Sequence, residues 1–422
     1  MSTTTRILLG LLAGALLGLL LAWHDAALGV RVADFVQPIG RLWLNALQMT
    51  VVPLVLALVI VGVGAASDAA ASGRTARRAL VVFAILLSAG AALMIAVAPL
   101  LLSLLPRDPA TMDALRAAIP PASAPVAAPG FADWLAGVVP TNAIAAAAQS
   151  AMLPLVVFAL FFGFALTRIE ASRRARMIEL FQSLADTMIV IVRWVLWAAP
   201  LGVFALVLAV CARAGHGVLG ALGGYIAMQC TMYLLATVLL YPVAVVFGGE
   251  SLRRFAAGLL PAQVVAASTQ SSLASLPAML DSATSRLGHP RPVAALVLPM
   301  AVSLFRLTSP MQYIGSAVFV AWIYGIDVPP AQLAAAAALA VVISLGSVGL
   351  PGQVSFMATT MPVTSAMGLP LEPLALLLAV DTIPDVFATV GNVSADVTAS
   401  SVVSRLDAKD AEPARSEPFD SR

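Results

Sequence analysis

The sequence predicts an all-α polytopic membrane protein of eight transmembrane helices and two re-entrant helical hairpins. Three features point there. Of 422 residues, 61% are hydrophobic and 10% charged, with a mean hydropathy of +0.98; soluble domains carry about 25% charged residues. Apolar runs long enough to cross a bilayer recur along the chain. Lys and Arg gather in particular connections, GRTARR (73–78), RIEASRRAR (168–176), SLRR (251–254), SRLGHPR (285–291) and the tail from Arg405, whereas 106–131, 212–217 and 325–331 are poor in them.

The first apolar run, to Trp23, has the length of a signal peptide but no clean small-residue cleavage site. It reads as a retained span with Gly and Ala at packing positions. A second span covers about 42–65, with Asn45, Gln48, Thr50 and Pro53 as polar punctuation, and a third runs from Ala79 to about Leu105. Residues 106–131, rich in Pro and Ala, read as an aqueous loop. A long fourth span ending near Leu166 is interrupted at Pro140 and Pro154, a fifth reaches about Ala212, and a sixth covers about 219–248.

Two later segments do not read as simple spans. Residues 252–282 carry the polar centre STQSSLASLP (268–277), and 331–369 form two short apolar arms around SLGSVGLPGQ (344–353). If both re-enter on the side they start from, every basic loop falls on one side. The positive-inside rule makes that side the cytoplasm, with both termini there, in a cell inner (plasma) membrane. An even number of extra crossings would preserve the same polarity, so ten spans stay open beside eight. Residues 405–422 read as a polar tail.

The last apolar segment contains DTIPDVFATVGNVSAD (381–396). Wound at about 100° per residue, Asp381, Asp385, Thr389, Asn392 and Asp396 fall within an arc of about 80°. Ile383, Val386, Phe387, Val390 and Val397 take the opposite side. Carboxylates at bilayer depth are costly and usually face a partner, substrate or ion path. Broken segments beside long spans are the pattern of inverted-repeat transporters, whose discontinuous helices expose backbone groups at mid-membrane. Ordinary kinks or aqueous loops are the competing reading of each tip.

Arg306 is the only Lys or Arg between Arg291 and Arg405. No basic block suggests nucleic acid. Cys211 and Cys230 lie in apolar surroundings, and His24, His216 and His289 are scattered, so no metal set is expected. No nucleophile–base pair or phosphate loop suggests an enzyme.

These segments together resemble the dicarboxylate/amino acid:cation symporter family, over nearly the whole chain. WLAGVVPTNAIAAAAQSAMLPLVVFALFFGFAL (134–166) is similar to the family's fourth span and AAPLGVFALVLAV (198–210) to its fifth. TQSSLASLP (269–277) and GSVGLPGQ (346–353) match the two hairpin tips, and 381–396 the last span. The resemblance implies an elevator-type homotrimer carrying a small molecule. Its scaffold would be spans 1–2 (1–78) and 4–5 (132–212). Its transport domain would be span 3 (79–105) and 213–404, with hairpins at about 252–282 and 331–369.

Residue by residue, the resemblance implies that Asp385 holds a substrate amino group. Thr389 and Asn392 contact substrate, and Asn392 and Asp396 serve a coupling ion. Ser271, Ser272 and the backbone around Gly349 cradle a carboxylate. The arginine that pairs with an acidic side chain in some members is replaced by Ala388 on the last span and Gln270 at the first tip. A neutral amino acid, or another amine-bearing carboxylate, is favoured over glutamate or succinate.

The family's sodium-coordinating seventh-span signature aligns with Phe305-Arg306-Leu307-Thr308-Ser309, and its third-span oxygen ligands with Phe83, Leu86 and Leu87. These losses put sodium coupling in question and leave sodium or protons as the coupling ion. Arg306 suggests a resident cation paired with Asp381 or Asp396. A static structural pair and direct binding of a substrate carboxylate are the other two readings. Against a carrier of either kind stands a non-transporting homologue acting as a sensor or an anion-conducting pore.

Overall fold

A polar backbone in hydrocarbon must satisfy its own N–H and C=O groups, and the α-helix does so within one segment. The computed structural model describes residues 3–71, 73–105, 112, 136–215, 217–346 and 352–411, helical almost throughout, with no strand among the described residues. By length and composition, six stretches suffice to cross a membrane: Ala27–Ala70, Arg74–Ser103, Ala171–Trp197, Val218–Val246, Arg291–Tyr324 and Thr382–Ala408. Shorter apolar helices accompany them. The chain is a polytopic helical membrane protein.

Four helix breaks share one cause. A proline in the first turn of a helix gives up an N–H that has no partner there anyway, but its ring clashes with the carbonyl four residues upstream. Pro154 lies in the first turn of Met152–Leu166, and the chain turns at Ser150, which has φ 53°. The fourth span therefore breaks at 149–151, ahead of Pro154 rather than at it. Pro200 starts Ala199–Ala214 just after Ala171–Trp197 ends, so the expected fifth span is two helices. Pro310 follows the break at Phe305–Leu307, and Pro384 follows the joint at Asp381. Asp381 thus ends the short helix Leu374–Val380, and the polar stripe is not one uninterrupted helix from 381.

The chain divides into two compact units. The first comprises Met1–Gly64, Ala91–Met232 and Pro310–Pro384. In it, Thr3–His24 packs on Ala199–Ala214 through Gly10, Gly14 and Gly18. A Cβ there would come within 2.4, 2.7 and 2.7 Å of the carbonyl oxygens of Pro200, Phe204 and Leu208. Small residues at this spacing let helices touch where lipid gives no hydrophobic drive. Pro330–Gly346 packs on Gly352–Ala366 as the arms of the second hairpin; its tip, including Gly349, lies outside the described residues.

The second unit comprises Ala65–Gly90, Tyr233–Ser309 and Asp385–Arg422. Leu252–Thr269 packs on Ser272–Asp281 to form the first hairpin. Its Phe255, Leu259, Ala266 and Met279 share a core with Leu298 and with Val393 of the last helix. The last helix runs to Ala411, so 405–411 are helix rather than tail. Arg405 donates to the Val246 carbonyl at 2.6 Å, and Asp407 accepts from Thr75 at 2.6 Å and pairs with Arg78. Residues 412–422 lie outside the described residues.

Gly391 sets how closely the last helix packs in this unit. A Cβ on it would stand 2.9 Å from Thr308 Cγ2 and 3.1 Å from Thr237 Oγ1. Both neighbours are held by hydrogen bonds, Thr237 to the Tyr233 carbonyl at 2.8 Å and Thr308 to Asn392. Gly391→Val should therefore destabilise the protein by about 1–3 kcal/mol through overpacking. A lowered unfolding temperature in detergent checks this; an unchanged one would mean that the helix shifts freely.

Candidate functional site

The second unit contains the first hairpin tip, the interrupted helix at 305–307 and most of the last-helix stripe. At the tip, Gln270 takes the left-handed conformation (φ 50°, ψ 35°) that reverses the chain. Ser271 is the N-cap of Ser272–Asp281, its Oγ accepting from the Ala274 N–H at 3.2 Å. This use of short polar side chains satisfies N–H groups left over at a helix start. Ser272 Oγ is buried with no hydrogen-bond partner among the described residues. Ser271 therefore has a structural task, while Ser272 keeps an unused hydroxyl.

The stripe divides in the same way. Thr389 Oγ1 donates to the Asp385 carbonyl of its own helix at 2.8 Å. Asn392 Oδ1 accepts from both the N–H (2.9 Å) and the hydroxyl (3.0 Å) of Thr308, where the helix resumes after its break. Thr308 Oγ1 also lies 3.3 Å from the Ala388 carbonyl. Asn392 thus caps the restarted helix from outside. Thr308, to which the sequence assigns no role, is what fastens the break to the last helix. Its signal was its place as the first hydroxyl after an interruption.

The carboxylates behave differently. Asp385 is half-buried, and its side chain makes no hydrogen bond among the described residues. Asp396 is 0% exposed, and neither of its oxygens has a hydrogen-bond partner among them. Arg306, half-buried in the break, acts electrostatically on both. The direct hydrogen-bonded pair of Arg306 with Asp396 is not formed. A buried carboxyl group without a hydrogen-bond partner is expensive to hold in its charged form.

Beside Arg306, Phe305 and Phe83 stack with ring centroids 4.7 Å apart and planes 3° from parallel. Both rings are fully buried, as is Leu87. Where the resemblance implies oxygen ligands, this chain packs hydrocarbon. Ile383 and Phe387, on the far side of the last helix, are exposed, whereas Val397 is buried. The helix therefore presents an apolar outer face only in its first half.

Asp381 belongs to the first unit, and there Gln312 Nε2 donates to both of its oxygens, at 2.9 and 2.7 Å. The Gln312 backbone carbonyl accepts from Gln229, which belongs to a buried polar group with Tyr225 and Ser316; the two hydroxyls of the last pair are 2.9 Å apart. Sequence reading missed Gln312, although a glutamine at bilayer depth was a usable signal. Gly349 lies outside the described residues. No group of His, Cys, Asp and Glu able to hold a metal occurs among the described residues.

A family described as the sodium:dicarboxylate symporter family matches residues 3–406. The chain is similar to the proton/glutamate-aspartate symporter of Escherichia coli (strain K12), 28% identical over 411 residues that cover 97% of this chain and 93% of that protein. It is also similar to the neutral amino acid transporter B(0) of Oryctolagus cuniculus, 28% identical over 443 residues, covering 95% and 80%. A third relative is the C4-dicarboxylate transport protein of Anaeromyxobacter sp. (strain K), 28% identical over 403 residues, covering 95% and 88%.

Proposed function

The chain belongs to the sodium:dicarboxylate symporter family, and on that premise we propose that it is a secondary carrier for a small neutral amino acid, independent of sodium. Eight spans and two hairpins would hold the substrate between the hairpin tips and the last helix. Within a homotrimer in the plasma membrane, both termini cytoplasmic, the transport domain would move as an elevator against the scaffold. Asp385 would take the substrate's ammonium, Ser272 and the second tip around Gly349 its carboxylate, and Ala388 would leave room for an uncharged side chain. Thr389 and Asn392 would shape the site through the bonds described above, and Ser271 would hold the tip.

The observation that carries the sodium reading is the Phe83–Phe305 stack beside Arg306. Sodium is a hard cation held by clustered oxygens, and two buried rings supply none. A guanidinium acting on Asp385 and Asp396 provides a fixed positive charge instead. Coupling would then run through protons, or the carrier would exchange one substrate for another.

Uptake into proteoliposomes tests this. Serine, alanine, glutamate, aspartate and succinate would each be offered with a sodium gradient, a proton gradient and neither. Alanine or serine should be taken up best, at rates unchanged by sodium. Strong sodium dependence would overturn the resident-cation reading, and preferred uptake of succinate would overturn the role of Asp385. Saturable counterflow of labelled substrate separates a carrier from a sensor or a pore.

A further inference from the structure

The second unit holds a cleft of about 540 Å³ that the transport site does not use. Arg74, Arg77, Arg78 and Arg405 line it, and among the described residues no carboxylate does. Asp407, the nearby acid, is taken up by Arg78 and Thr75. Arg78 and Arg405 are anchored by these contacts and by the Val246 carbonyl, and Arg74 and Arg77 are exposed at the rim. The rest of the lining is apolar, and Val81, Ile85, Val246 and Phe247 expose about 60% of their surface.

Position in the fold adds a second argument. The cleft lies where one membrane-length helix begins, at Arg74, where another ends, at Val246, and where a third nears its end, around Arg405. Such a level is that of lipid headgroups, and the basic loops assign it to the cytoplasmic leaflet, whose lipids include anionic ones. Guanidiniums at headgroup height above an exposed apolar wall match one kind of molecule, an anion carrying acyl chains. We propose that this cleft binds the phosphate headgroup of an anionic phospholipid, its chains lying along Val81, Ile85 and Phe247. The proposal is independent of which substrate the protein carries.

Native mass spectrometry of the full-length protein, with phosphatidylglycerol or phosphatidylcholine of the same chains added, provides the test. Phosphatidylglycerol should be retained at least about tenfold better, since only it brings net negative charge. Arg74→Gln with Arg77→Gln should cut its retention about 30-fold, the ratio that about 1 kcal/mol per basic side chain gives for two. The unfolding temperature of the double variant, measured alongside, separates lost lipid binding from lost fold. Equal retention of the two lipids, or full retention by the double variant, overturns the proposal. Displacement of the lipid by excess inorganic phosphate would show a site for free anions and overturn it too. Deleting 412–422 should change nothing; retention only after that deletion would make the chain's own tail the occupant.

Discussion

Arg306→Gln should lower substrate uptake by about 100-fold or more while leaving the protein folded. Arg306 is the cation acting on Asp385 and Asp396, and Asp396 has no other support among the described residues. A contribution of about 3 kcal/mol from this cation to the transport cycle corresponds to that loss, since each 1.4 kcal/mol is tenfold. Asp396→Asn in the same chain should restore part of the uptake, since it removes the unbalanced acid at its source.

Arg306→Lys, which keeps the charge but not the planar fork, should be intermediate. Two results would redirect the reading. If uptake and ion dependence stay at the starting level, the resident cation does not exist. If only the KM for substrate rises, with kcat unchanged, Arg306 binds a substrate carboxylate directly. A merely structural pair would show itself as a lowered unfolding temperature.

Asp385→Asn should abolish amino acid uptake to a similar depth, about 100-fold, for a different reason. It keeps the size and polarity of the side chain but removes the charge that an ammonium needs, and charge-assisted contacts in a water-poor site are the strong ones. Because the Asp385 side chain makes no hydrogen bond among the described residues, its loss should leave the unfolding temperature in place. Any uptake of succinate, which lacks an amine, should be spared or improved. Unchanged alanine uptake would remove Asp385 from the substrate site.

Much of this arrangement was legible in the chain. The polar stripe on the last helix, the basic loops and the two interrupted hydrophobic segments follow from spacing and composition, because helical period and the cost of charge in lipid are local properties. Gly10, Gly14 and Gly18 announced a close helix contact in the same way. Proline was a weaker guide. Pro154, Pro200, Pro310 and Pro384 each follow a break, yet Pro53 and Pro299 sit inside continuous helices. Neighbouring packing decides whether a helix bends around the missing hydrogen bond or stops, and that packing is not written next to the proline.

By itself the sequence determined the membrane class, the candidate acids Asp381, Asp385 and Asp396, and the isolated Arg306, since burying charge in an apolar chain is visible as composition. Only the tertiary structure decided what each polar group has left to offer. Thr389 bonds its own helix and Asn392 caps Thr308, while Ser272 and Asp396 remain without hydrogen-bond partners among the described residues. It also set the Phe83 and Phe305 rings, 222 residues apart in the chain, face to face and fully buried, with Leu87 of the Phe83 helix buried as well. The Thr308–Asn392 bond and the ring stack join residues 84 and 222 positions apart, and no local period encodes that.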